Sequence, residues 1–262
     1  MTAPLLQISH LGVTLGHGHR ATRVLDGVGL SVARGSTVGL VGESGSGKST
    51  IAKTIVGVHT ADAGEIVFDG VDLRTADRAT RHRVRRRIQL VPQDPYSSLD
   101  PRRTIGQTLA EAIDPRRGRV RPHRERIEAA LTAVALDAAA LGRYPHQFSG
   151  GQRQRIAIAR ALVTDPELIV ADEITSALDV STQAEILALL ARLRAELGLT
   201  MLFISHNLAV VRELCDEVVV LLHGEVVEAG RTDRVYAEPA AEYTRRLISS
   251  VPGGPAFHLD PV

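Results

Sequence analysis

Gly42-Glu43-Ser44-Gly45-Ser46-Gly47-Lys48-Ser49-Thr50 is the stretch on which the reading of the chain turns. A glycine, four free positions and then Gly-Lys-Ser is the pattern of a phosphate-binding loop. Its flanks agree. Thr37 to Val41 reads as a short buried strand, and Ile51 to Val56 continues as a helix. A strand, a glycine-rich turn and a helix N-terminus together make an anion site. Gly42, Gly45 and Gly47 can take backbone angles closed to other residues and leave room for a phosphate against the main chain. Lys48 supplies a compact positive charge for the outer phosphates. The Ser49 hydroxyl can ligate the Mg²⁺ that travels with a nucleotide. Lys48 and Lys53 are the only lysines; every other basic residue of this type is arginine. Lys48 therefore stands where a point charge, not a planar fork, is wanted. The plain alternative is a glycine-rich turn with a solvated lysine, and the strand and helix around it weigh against that.

Composition narrows the classes. The 262 residues suffice for one large domain or two small ones with a substantial core. A net charge of +1 provides no global field for nucleic acid, and aromatic content of 3% without Trp argues against a base-stacking platform. Cys215 stands alone, so no internal disulfide is expected. The start shows no charged n-region and no stretch reaches the length of a transmembrane helix, so neither a signal peptide nor a span is expected.

Along the chain, Leu5 to Leu15 and Val24 to Val32 read as strands, with Gly16-His17-Gly18-His19 as a turn between them. Glu65 to Gly70 reads as a strand ending in a tight turn. Arg81 to Arg87 holds five arginines and His82, which reads as a solvated helix face, with a contact to lipid phosphate or an acidic partner as the alternative. Arg87 to Pro92 reads as an apolar strand that ends at Gln93. Prolines and arginines then mark a mainly helical insertion reaching about Phe148, with one helix over His123 to Leu136. A helix follows from Arg153 to Leu162. Leu168 to Ala171 is an unalternating apolar strand, buried on both faces, that ends in Asp172-Glu173. Ser181 is expected to cap a helix running to Leu197, which Gly198 stops. Met201 to Ile204 is a further buried strand, ending at Ser205-His206. A hairpin closes around His223-Gly224, a last helix covers about Ala240 to Ile248, and the tail from Pro252 is expected to be loose. Strands alternating with helices make the class α/β.

Four strand ends carry the chemistry. Asp172 can hold Mg²⁺; Glu173 beside it can orient or deprotonate a water; His206 can contact a transferred phosphate; Gln93 can reach metal or water. Each alone is more often a satisfied polar group, but together with the phosphate loop they are expected to meet at one place.

The chain resembles the ATP-binding-cassette ATPases, the motor subunits of ABC transporters. Phe148-Ser149-Gly150-Gly151-Gln152 is similar to their signature motif, Leu168 to Glu173 to their Walker B strand with the catalytic Glu, and Ser176-Ala177-Leu178-Asp179 to their D-loop. Gln93 and His206 stand at the Q-loop and H-loop positions. The resemblance implies a P-loop NTPase core with an antiparallel β subdomain and a helical subdomain. Residues 1–94 and 149–235 would form the core, 95–148 the helical insertion and 236–262 a C-terminal extension. It further implies ATP and Mg²⁺ as cofactors, with Ser49, Gln93 and Asp172 toward the metal and Gly42 to Thr50 around the phosphates. Two such subunits would sandwich ATP. Ser149, Gly150, Gly151, Gln152 and Asp179 would then act on the nucleotide of the opposite subunit.

A narrower resemblance, to the ATPases of peptide and nickel importers, lies in Gln93 to Arg102, in Glu242 to Leu247 and in Val251-Pro252. It implies a peripheral subunit on the cytoplasmic face of the cell membrane. It would serve two permeases and, indirectly, a substrate-binding protein, preferentially in a heterodimer and without nucleic acid. Tyr96 and Leu99 are expected to form the surface that receives the permease. Some relatives hold an iron–sulfur cluster near the C-terminus; Cys215 alone cannot. Three positions depart from the pattern. Ile174 replaces Pro, Asn207 replaces Asp, and Leu15 stands where an aromatic often stacks on adenine, with His17, His19 and Arg20 as substitutes. A soluble cassette ATPase without a permease and a non-hydrolysing regulatory module are the competing classes; the intact Asp172, Glu173 and His206 oppose the second.

Overall fold

The computed structural model describes residues 3–16, 18 and 21–250. The chain runs β1 (Leu6–Leu15), β2 (Thr22–Val32), β3 (Thr37–Val41), α1 (Lys48–Ile55), β4 (Ala63–Phe68), β5 (Val71–Asp72), α2 (Arg78–Arg85) and β6 (Ile88–Val91). It continues through α3 (Pro95–Ser98), α4 (Ile105–Ile113), α5 (Arg124–Ala133), α6 (Gly150–Leu162), β7 (Leu168–Asp172) and α7 (Val180–Leu197). Last come β8 (Thr200–Ile204), α8 (Leu208–Leu214), β9 (Glu217–Leu222), β10 (Glu225–Arg231), α9 (Thr232–Ala237) and α10 (Glu242–Ser249). The described residues of Met1–Arg85 and Thr200–Val262 make one compact unit, and Arg86–Leu199 makes a second.

In the first unit, β2, β1, β4 and β5 form an antiparallel sheet in that order. β3 lies parallel to β8 on one side and to β9 on the other, with Leu40 opposite Ile204 and Val219, and β10 returns antiparallel along β9. Every residue of β3 and β8 is buried, as their unalternating apolar sequences require. Gly39 is small for a reason: a Cβ there would stand 2.5 Å from the Val211 side chain and 3.1 Å from the buried Cys215 sulfur. Thr37 enters the strand with its N–H donated to the Asp216 carboxylate at 2.8 Å, so the chain end of β3 is tied to the start of β9.

In the second unit, β6 and β7 pair in parallel, Val91 opposite Ala171, and every residue of β7 is buried. The expected helix over His123 to Leu136 is α5, shorter at both ends. α4 lies within the expected mainly helical insertion, its start fixed by a reciprocal capping box of Thr104 and Gln107. α7 corrects the cap expected at Ser181. Asp179 is the N-cap, accepting from the Thr182 N–H at 2.9 Å, and the Ser181 hydroxyl donates to the same carboxylate. Gly198 ends α7 in the left-handed region at φ 62°, as expected.

The arginines of 81–87 are more than a solvated face. Arg81 donates to the Ala76 carbonyl at 2.7 Å, Arg86 to the Ile113 carbonyl at 2.8 Å, and Arg87 forks onto Glu167. Leu99 corrects another expectation: it is 2% exposed and belongs to the core, whereas Tyr96 is 59% exposed. His17, His19, Arg20 and the tail from Val251, Pro252 included, lie outside the described residues.

Candidate functional site

The phosphate loop is held from beneath by the turn between β9 and β10. The Gly224 N–H donates to the Ser46 carbonyl at 3.0 Å, and the Gly224 carbonyl accepts from Asp26 N–H at 2.9 Å. The fit leaves no room for side chains. A Cβ on Gly42, at φ 152°, would stand 2.1 Å from the Leu221 carbonyl oxygen; one on Gly47, at φ 107°, would stand 2.6 Å from the Leu25 side chain. Gly47 is also the N-cap of α1, and it has no side chain to occupy the first amides of that helix. Those amides point their positive end into the loop.

Lys48 is buried, and its ammonium donates to the Gly42 carbonyl at 2.8 Å and the Glu43 carbonyl at 2.7 Å. The loop thus wraps its own cation. The Ser46 hydroxyl is buried without a hydrogen-bond partner, a polar atom that an anion in the cradle would satisfy. Glu43, Ser44 and Gly45 are exposed, and Ser49 and Thr50 half-buried in the first turn of α1. His206 follows β8 in the same unit and is exposed. Asn207 beside it caps α8, its side-chain carbonyl accepting from Ala209 and Val210 N–H at 3.1 and 3.4 Å. An Asp would do the same work, so this departure is locally neutral.

In the second unit, Asp172 closes β7 and is buried. Glu173 follows at φ 48°, a left-handed angle unusual for a non-glycine residue. It turns the carboxylate out of the strand direction. Gln93 Nε2 donates to that carboxylate at 3.1 Å and to the Ser176 hydroxyl at 3.2 Å. Ser176 in turn donates to the Glu173 carbonyl at 2.9 Å. Gln93 and Glu173 are therefore brought together, with Ser176, the first residue of the D-loop stretch, as a third member. Ile174 is buried at 1% exposure and fills the turn by packing.

The stretch around Gly150 begins α6. Ser149 is its N-cap, accepting from Gln152 N–H, while the Gln152 side chain accepts from Ser149 N–H at 3.0 Å. Gly151 lies against α7: a Cβ there would be 2.4 Å from the Thr182 methyl. Gly150 has no such neighbour within 3.7 Å, so its lack of a side chain is not demanded by packing. Asp179 has its carboxyl held at about 2 by the hydroxyl of Ser181 and by the N–H and hydroxyl of Thr182.

Residues 25–176 match the family described as ABC transporter. The chain belongs to that family. It is 48% identical to a putative peptide import ATP-binding protein of Brucella ovis over 95% of this chain and 79% of that one. It is 41% identical to the oligopeptide transport ATP-binding protein OppF of Bacillus subtilis over 96% and 84%. Among solved structures, cbiO1 of Clostridium perfringens, part of the cbiONQ transporter complex, superposes with a TM-score of 0.79 at 27% identity, covering 95% of both chains. The dimeric cassette MJ0796 bound to ADP and Pi superposes at 0.75 with 30% identity, covering 87% of this chain and 98% of that one.

As an ABC ATPase the chain binds and hydrolyses nucleotide. The loop fits that ligand: a buried lysine, a partnerless hydroxyl, uncapped helix amides and two glycines that no other residue can replace. Ser49 and Asp172 carry the hard oxygen donors that suit Mg²⁺. Among the described residues no helix is long and apolar enough to cross a membrane.

Proposed function

We propose that this ABC ATPase is the motor subunit of a di- or oligopeptide importer, bound to the cytoplasmic face of the membrane under two permeases. The observation that carries the motor reading is Gln93 on the Glu173 carboxylate, because it joins the residue assigned to the attacking water to the start of the segment assigned to the permease. In this reading Gly42 to Thr50 hold the phosphates, and Ser49, Asp172 and Gln93 serve Mg²⁺. Glu173 orients or deprotonates water, and His206 contacts the transferred phosphate. Ser149, Gly150, Gly151, Gln152 and Asp179 act on the ATP of a second cassette, preferentially a paralogue. Residues 95–148 receive the permease, with Tyr96 at the contact and a binding protein delivering cargo from the far side.

Peptide as cargo is supported by relatives of 41–48% identity whose names state peptide transport. Nickel is the second reading, from the likeness of Gln93 to Arg102 to both kinds of importer ATPase. The test is uptake of labelled dipeptide and of nickel, supplied separately, by cells lacking this chain. Loss of dipeptide uptake is expected. Loss of nickel uptake alone promotes the second reading, and loss of neither removes the importer.

A further inference from the structure

Tyr243 of α10 and Glu43 of the phosphate loop are 200 residues apart, yet the Glu43 N–H donates to the Tyr243 hydroxyl at 3.0 Å. The tyrosine is 8% exposed. It is set there by its own helix. α10 has no side-chain cap of its own at Ala241. Glu228 of β10 takes that part, accepting from Ala240 N–H at 2.8 Å and Ala241 N–H at 3.0 Å. Burial would raise the Glu228 carboxyl, but these bonds and its other partners hold it below its ordinary value, so it stays an ionised acceptor. Tyr243 lies two residues beyond Ala241, and its place relative to β10 is thereby fixed.

The loop side is as specific. The Glu43 peptide follows Gly42, the glycine whose φ of 152° admits no side chain. Its carbonyl accepts from Lys48 at 2.7 Å and from Ser46 N–H at 3.2 Å. Its N–H goes to Tyr243. An ammonium drawn toward an anion in the cradle weakens its hold on that carbonyl. The hydrogen bond that the Glu43 N–H donates to Tyr243 does not compete for the anion and persists.

We propose that Tyr243 is a positioning residue for nucleotide binding: its hydroxyl fixes the entry of the phosphate loop, and α10 is thereby part of the nucleotide site. The proposal rests on the phosphate-loop reading of 42–50. The competing role is packing alone, in which the ring matters and the hydroxyl does not. Burial, with the Glu43 carboxylate next to it, pushes the tyrosine hydroxyl up, so it keeps its proton and the geometry holds across the neutral range.

Tyr243→Phe separates the two roles, because it retains the ring. In the nucleotide-free protein the Glu43 amide is expected to exchange roughly three- to tenfold faster with deuterium, the range for one lost hydrogen bond. A fluorescent ATP analogue is expected to bind weaker by a similar factor, with KM for ATP raised, kcat unchanged and the melting temperature within a degree or two. In the unaltered protein, nucleotide is expected to slow amide exchange across 242–249, since coupling between two sites is reciprocal. Affinity within twofold of the unaltered protein, an unchanged Glu43 amide, or exchange in α10 indifferent to nucleotide would each overturn the proposal. If the unaltered protein binds no nucleotide at all, the phosphate-loop reading itself fails.

Discussion

Glu173 sits at φ 48° immediately after a fully buried strand, and its neighbours hold it there. Ser176 N–H and hydroxyl both donate to its carbonyl, and Gln93 donates to its carboxylate. A left-handed angle of this kind costs of the order of 1 kcal/mol or more and persists only where surroundings impose it. Glu173→Gln keeps the size of the side chain and an oxygen for Gln93, and removes the capacity to take a proton. Hydrolysis is expected to fall about 10²–10⁴-fold while nucleotide binding stays, read by phosphate release and by titration with a fluorescent analogue. Lys48→Ala acts elsewhere and weakens binding itself. The candidate residues stand out in the sequence because they lie in contiguous motifs. Tyr243 does not, although it stands in a quoted motif: nothing local tells that a tyrosine in the last helix returns to a loop 200 residues earlier.

Helix ends show what sequence patterns can and cannot decide. Gly198 was read correctly because only a residue at ease in the left-handed region ends α7 there at little cost. The cap was displaced from Ser181 to Asp179, since both types cap well and the choice depends on which carboxylate or hydroxyl faces the amide of Thr182. α8 and α9, of seven and six residues, are too short for a periodic apolar signal, and packing of Val211 and Val235 decides them. α4 had a readable capping box, which prolines and arginines on either side obscured. Asp179 also gives α7 a pH dependence. Its carboxyl titrates at about 2 when folded, below an ordinary 3.8. The cap's ionic contribution is therefore complete above the unfolded value near 4 and is lost as pH falls through about 2. Asp179→Asn keeps a capping oxygen without the charge. The unaltered protein is expected to melt higher than the variant at pH 6, with the gap closing between pH 4 and 2, as followed by circular dichroism. A gap that is constant with pH would exclude the ionised cap.

At the scale of the whole molecule, one phosphate loop and one signature stretch make an incomplete machine. Ser149 and Gln152 satisfy each other in a capping box at an exposed helix start, and Gly150 is free of any packing reason to lack a side chain. That leaves the N-terminal amides of α6 available to an anion brought by another subunit. Hydrolysis should accordingly depend on a second cassette. We expect this chain alone to release phosphate slowly, and addition of the paralogous cassette to raise the rate per site by tenfold or more, the usual gain from positioned electrostatic donors. Ser149→Arg, which places a bulky cation at the exposed cap, should abolish that gain at the nucleotide of the second cassette while leaving binding of nucleotide to this chain's own loop intact. The discriminating measurement is mass in solution. Glu173→Gln with ATP, without any paralogue, should stay monomeric by light scattering at micromolar concentration. A stable ATP-dependent dimer of identical chains would show that a second copy completes the site and would replace the heterodimer.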